Sequence, residues 1–288
     1  MSLKLGIQLF SVREEMAKSV EATIRALADI GYRRLELSNH NALNDFGTGF
    51  GMSARDFKKL LEELGLEAVT NTVNPYTDEN IDKLIEYHVE IGAKGLVLPV
   101  VWYETKDDVL RCCENINRWG KKCHEAGLYY LFHNHFHEFQ KFDGKTVVDM
   151  VLENTDPDYV GFELDTYWAM RAGVDPCDVL RQQGKRCKAI HQKDYAKGRE
   201  DHINLLELAG TKGVSRDRFM EICQSVNYEK DFTEIGDGIM DIQRIIDTAL
   251  ECTDAEYILL EQDHASMPQL DSVRRSFENF RRISGIEF

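Results

Sequence analysis

KKCHEAGLYYLFHNHFHEF, residues 121–139, passes from a helix into a strand and ends in a run of ionisable side chains. The segment leading into it, Lys106–Ala126, repeats its apolar positions at helical spacing, and Gly127 follows where a left-handed C-cap is wanted. Leu128–His135 is too short and too rich in aromatic residues to continue that helix, so it reads as a buried strand. Helix, glycine, strand and polar strand end together make one unit of a parallel sheet joined by crossover helices.

The same unit recurs in both directions along the chain. Strands are expected at Leu3–Phe10, Arg34–Ser38, Glu67–Val73, Gly95–Val101, Leu128–His135, Tyr159–Trp168, Cys187–Asp194 and Tyr257–Asp263. Helices are expected at Val20–Ile30, Ala54–Leu64, Asp78–Ile91, Lys106–Ala126, Thr146–Leu152, Pro176–Arg181, Asp241–Leu250 and Leu270–Ile283. Eight of each predict an α/β fold, a closed (β/α)8 TIM barrel, whose usual size of about 250 residues suits a chain of 288. Gly31, Gly65 and Gly92 repeat the glycine signal of Gly127, and Ser53 with Asp56, and Thr77, supply N-cap signals. No linker or composition shift divides residues 1–288, which predicts a single domain. The surplus length falls in a long seventh strand-to-helix segment, 195–240, with a helical pattern of its own at Arg216–Ser225. On the catalytic face of a barrel such a segment suits a lid or substrate loop.

Composition narrows the function classes. Apolar residues make up 43% and charged residues 30%, with 5 Pro and 20 Gly, which excludes disordered and collagen-like architectures. Thirty-five basic against fifty acidic residues give a net charge of −15, a field that opposes nucleic acid and anionic lipid. The seven cysteines are irregularly spaced without a Cys-x-x-Cys pair, as expected for buried thiols in a reducing cytoplasm. No apolar run is long enough to span a membrane, and charges at Lys4 and Arg13–Glu15 argue against a signal peptide, so a cytoplasmic protein is expected.

In a barrel of this kind the chemistry stands at the C-terminal ends of the strands. Strand five ends in His133-Asn134-His135-Phe136-His137-Glu138-Phe139, strand six in Glu163-Leu164-Asp165, strand seven in His191-Gln192-Lys193-Asp194, and strand eight in Glu261-Gln262-Asp263-His264. Glu138, Asp165, His191 and Glu261 can converge there as an oxygen and nitrogen donor set without thiolate, suited to Mn²⁺, Mg²⁺, Co²⁺ or Zn²⁺. Asp165 and Glu261 close apolar runs, where an unpartnered carboxylate is costly to desolvate. On strand five the three histidines and Glu138 all lie within reach, and chemistry alone leaves the ligand open. Gly47-Thr48-Gly49-Phe50-Gly51 follows a polar loop rather than a strand, so it does not read as a nucleotide-binding fingerprint.

These stretches, with Gly6–Arg13, Gly236-Asp237-Gly238 and Asp241, resemble the sugar phosphate isomerase/epimerase group of the xylose-isomerase-like barrels, a superfamily that includes the AP-endonuclease family. The resemblance runs nearly end to end. It implies one divalent cation, commonly manganese, held by Glu138, Asp165, His191 and Glu261, and it implies pairing as a homo-oligomer, a dimer in related barrels. One position departs from the group's epimerases, which carry a histidine three residues after the strand-six aspartate, where this chain has Trp168.

Such a site would act on a carbohydrate or cyclic polyol by moving a proton next to a carbonyl through an enediolate, with Glu138 and Glu261 on opposite faces. Lys193 would stabilise negative charge on oxygen, or else pair with Glu163 or Asp165. Gln8, His135, Trp168 and Trp102 are candidate substrate contacts. The same cation and base would also serve a dehydratase or lyase acting on an inosose or 3-keto-sugar. An abasic-site endonuclease is opposed by the acidic charge, and a non-catalytic sugar-binding protein is the remaining reading.

Overall fold

In the computed structural model, which describes residues 2–210 and 213–288, the strand runs form one parallel ring. Its members are β1 Leu3–Gln8, β2 Arg34–Asn39, β3 Glu67–Val73, β4 Gly95–Leu98, β5 Tyr129–His133, β6 Gly161–Asp165, β7 Cys187–Gln192 and β8 Tyr257–Leu260. They pair in sequence order, and β8 closes onto β1 with Lys4 beside Tyr257 and Ile7 beside Leu260. The helices packed outside are α1 Val20–Ile30, α2 Ala54–Leu64, α3 Ile81–Ile91, α4 Lys106–Glu125, α5 Val147–Asn154, α6 Pro176–Gln183, α7 Ile242–Cys252 and α8 Gln269–Phe280. The chain is thus a (β/α)8 barrel.

Where boundaries differ from the sequence reading, a side chain or a proline accounts for it. β6 stops at Asp165 instead of running to Trp168, because the Asp165 carboxylate accepts from the Trp168 backbone N–H at 2.8 Å and opens a short helix, Thr166–Arg171. Gln8 likewise turns the chain after β1, its side chain accepting from the Phe10 N–H. β4 ends before Pro99, which has no N–H to extend the ladder. α3 starts at Ile81 rather than Asp78, since Thr77 and Asn80 first exchange side-chain to backbone bonds of 2.9 and 3.2 Å. Ser53 caps α2 as expected, accepting from Asp56 N–H at 3.1 Å.

Two apolar regions hold this arrangement. One lies between strands and helices. The other fills the barrel with Val69, Val97, Leu131, Ala189, Tyr257 and Leu259, all buried. Because side chains on a strand alternate faces, the next inward positions above Leu131, Gly161, Ala189 and Leu259 are His133, Glu163, His191 and Glu261. The apolar layer is therefore the floor on which a polar layer stands.

The long seventh connection is tied down over that end of the barrel. Asp194–Tyr195 pairs antiparallel with Phe232–Thr233. The buried Asp194 carboxylate accepts from the N–H groups of Tyr195, Gly236, Gly238 and Met240 at 2.8–3.1 Å. A side chain at Gly238 would collide with that carboxylate, which explains the glycine. Arg171 and Asp231, both fully buried, pair at 2.9 Å, and Phe219 of the helix Arg216–Ser225 stacks on Phe136 with ring centroids 4.6 Å apart. No helix among the described residues is long and apolar enough to cross a membrane.

Candidate active site

Strand register builds the site. His133 lies beside Glu163 across β5 and β6, and Asp165 beside His191 across β6 and β7. Asn134, on the other face, exchanges bonds of 3.1 and 3.2 Å with the Asp165 backbone and locks the first pairing. Donor atoms of His133, Asp165, His191 and Glu261 consequently lie within 4.8 Å of one another, one from each of four neighbouring strand ends and all buried. His191 Nδ1 is 2.9 Å from Glu261 Oε2, and His133 Nε2 is 4.0 Å from Asp165 Oδ2.

Lys193, two residues beyond His191 and fully buried, places its ammonium on Asp165 and Glu261 and lies 3.6 Å from Asp263 Oδ1. Of the two partners expected if it formed a salt bridge, it takes Asp165. Its charge acts on the donor carboxylates.

Burial and the neighbouring charges act against each other here. Burial disfavours an ionised Glu261, but Lys193 and His191 outweigh it and hold that carboxyl well below its usual range. Burial disfavours a charged His191 too, yet Glu163, Glu36 and Glu261 raise it well above the ordinary imidazole value. His133 is pushed well below that value, mainly by burial and then by the neighbouring His191. Burial lifts Asp263 to about 7.

Glu138 is elsewhere. β5 ends at His133, and the turn His137–Phe139 folds Glu138 back on its own chain. There its Oε2 accepts from His135 N–H at 2.8 Å, and its Oε1 is 3.0 Å from His137 Nε2. Of the expected donor set the structure brings together Asp165, His191 and Glu261, and it puts His133 rather than Glu138 with them. Trp102 is also displaced from the expected substrate contacts, stacking on His137 at 4.6 Å.

Above the donor group opens a cleft of about 110 Å³ lined in part by Gln8, Phe10, His40, Thr72, His135, Trp168, Glu261 and Asp263. Of the candidate substrate contacts, Gln8, His135 and Trp168 line this cleft. Burial pushes His135 down to about 4, so it is neutral near pH 7, and its buried Nδ1 has no partner among the described residues. Asp263, absent from the expected site residues, faces the same space. The sequence signal for both His133 and Asp263 is the inward alternation Leu131, His133 and Leu259, Glu261, Asp263.

Residues 24–283 match the family model of the xylose isomerase-like TIM barrel. The chain belongs to this family. A sugar phosphate isomerase/epimerase from Parabacteroides distasonis is 26% identical, superposes with a TM-score of 0.76, and is covered over 96% of its length by 100% of this chain. An inosose dehydratase from Lacticaseibacillus casei is 25% identical over 159 residues, 55% of this chain. The match spans about half of that relative, 48% of its length. An IolI protein with a bound zinc atom shares the fold, with a TM-score of 0.68 at 12% identity over 98% of this chain and 100% of that one.

Whether a metal suits this member of the family is decided by its donors. Two carboxylates and two imidazoles, without thiolate, match the preferences of Mn²⁺, Co²⁺ or Zn²⁺. Four buried donors from separate strands converge. The residues fit a divalent ion, which would share Asp165 and Glu261 with the Lys193 ammonium.

Proposed function

We propose that the chain is a divalent-metal-dependent enzyme that removes a proton beside the carbonyl of a keto-polyol and expels water from it. The observation that carries this reading is the meeting, at one cleft, of the donor group with two proton-transfer groups outside it, His135 and Asp263. A bound ion at His133, Asp165, His191 and Glu261 would supply electrophilic polarisation of the carbonyl. His135 and Asp263 reach the cleft from the ends of β5 and β8. His135, neutral near pH 7, accepts the carbon-bound proton, and Asp263, raised to about 7, donates its proton to the departing hydroxyl, which leaves as water. Trp168 offers an apolar face to the ring.

Two features support elimination over epimerisation. Glu138, the second carboxylate that inversion at carbon would use, is turned back on its own loop. The inosose dehydratase relative is named for such a dehydration. Isomerisation or epimerisation of a sugar or sugar phosphate is the second reading, favoured by the name of the Parabacteroides relative.

The test is a product assay. Metal-stripped protein reloaded with Mn²⁺, Co²⁺ or Zn²⁺ is given keto-inositols, 3-keto-glycosides and ketoses in deuterated water. Loss of one water from a keto-inositol by mass spectrometry supports dehydration. Deuterium uptake with unchanged composition transfers the assignment to the epimerase reading, and no turnover with any reloaded metal contradicts both.

A further inference from the structure

Beneath the donor group lies a second set of charges to which the proposed chemistry assigns no task. Glu36 on β2 and Glu163 on β6 are both fully buried, and they meet across the barrel interior against the undersides of the two imidazoles. His191 Nε2 is 3.0 Å from Glu36 Oε1 and 3.2 Å from Glu163 Oε2. His133 Nδ1 is 3.1 Å from Glu163 Oε2. Thr70 donates to Glu36 Oε2 at 2.5 Å and fixes that carboxylate from the neighbouring strand.

Each imidazole thus has one nitrogen turned down to this pair and the other turned up to Asp165 or Glu261, but the nitrogens are opposite ones. His191 looks up through Nδ1 and down through Nε2; His133 looks up through Nε2 and down through Nδ1. A carboxylate below an imidazole retains the ring N–H there, so the upper nitrogen is the one that gives up its proton and becomes the ligand when a cation binds.

We propose that Glu163 and Glu36 are positioning residues that set opposite tautomers on the two donor histidines, so that His133 offers Nε2 and His191 offers Nδ1 to the same cation. The inference rests on the donor-group reading given above and extends it to a layer that contacts no substrate. Glu163 is the hub, since its Oε2 serves both rings, while Glu36 serves His191 alone.

The experiment uses full-length protein stripped of metal and titrated with Co²⁺ or Zn²⁺ alone. Wild type should bind one ion per chain. In the Zn²⁺-loaded protein, long-range proton–nitrogen spectra should report His133 with its proton on Nδ1 and His191 with its proton on Nε2. Glu163→Gln should weaken Co²⁺ binding by roughly 10- to 100-fold and change the visible Co²⁺ bands. Glu36→Gln should do so less, with the His133 signal unmoved. Circular dichroism and thermal unfolding of the stripped variants separate this from misfolding, and Thr70→Val supplies a milder perturbation of Glu36 should either Gln variant fail to fold. Equal Co²⁺ affinity in wild type and both Gln variants, the same tautomer on both rings, or a second ion bound at Glu36 and Glu163 would overturn the proposal. A wild type that binds neither Co²⁺ nor Zn²⁺ would instead remove the donor-group reading beneath it.

Discussion

Residues 133–139 feed two histidine groups that are built in opposite ways. His133 joins a group assembled from four strand ends, with a carboxylate layer below and a buried ammonium beside it. His135, His137 and Glu138, only a few residues on, form a group from a single turn, closed by the chain's own backbone and by Val101 O, 3.0 Å from His137 Nε2. Strand geometry explains the contrast. Inside the ladder, side-chain direction is dictated by neighbours on both sides, so donors from distant parts of the chain can be aimed at one point. Beyond the last paired residue one oxygen of the Glu138 carboxylate turns back onto the His135 N–H, while the other is buried without a hydrogen-bond partner among the described residues. The electrostatics follow: three carboxylates raise His191, while burial lowers His135 to about 4.

The sharpest way to break this contrast is to remove the ammonium from the four-strand group. Lys193→Met leaves Asp165 and Glu261 buried without their cation, and stability of the metal-free protein should fall by about 3–5 kcal/mol. Thermal unfolding with and without Zn²⁺ checks it: bound ion should recover a large part of that loss. Next in size is the donor itself. His133→Ala should lower Co²⁺ affinity by at least the roughly 10- to 100-fold seen when a ligand's supporting partner is lost, measured by titration.

Glu138→Gln sharpens the comparison from the other side. It should change Co²⁺ affinity less than about twofold while costing on the order of 1–2 kcal/mol of stability, the scale of one charged hydrogen bond in a buried turn. Equal losses of affinity in His133→Ala and Glu138→Gln would erase the distinction between the groups.

His88, outside both, is the reference for a histidine with neutral partners only. Its Nδ1 donates to Leu84 O at 2.6 Å and its Nε2 accepts from Asn71 at 2.9 Å, and burial lowers it from 6.5 to about 4. The folded state therefore keeps it neutral where the unfolded chain takes up a proton. Its contribution to stability is complete above pH 6.5 and is lost as pH falls toward 4. Between pH 6.5 and 5.5 that loss should be on the order of 1 kcal/mol. Urea unfolding of wild type and His88→Gln at both pH values should show the difference shrinking in the variant.

The barrel was legible because its signals repeat: glycine after helix, apolar run, polar strand end. Boundaries were legible to within a few residues, failing where Gln8 and Asp165 use their own side chains to turn the chain. Asp165, His191 and Glu261 stood out as charged residues closing apolar runs. His133 did not, because the choice depends on whether β5 ends before or after residue 135, and that limit is set by pairing with β6. Glu36 was hidden for a stronger reason. Nothing near it in sequence is unusual, and only closure of the ring carries β2 across to His191 on β7.

Anomalous diffraction from crystals soaked in Mn²⁺ or Zn²⁺ tests the central claim most directly. One peak bonded to His133 Nε2, Asp165, His191 Nδ1 and Glu261, with Glu138 still folded onto the His135 N–H, is the predicted result. A peak ligated by Glu138 with His133 outside its coordination sphere, or no peak at all with Lys193 still seated on Asp165 and Glu261, would contradict it.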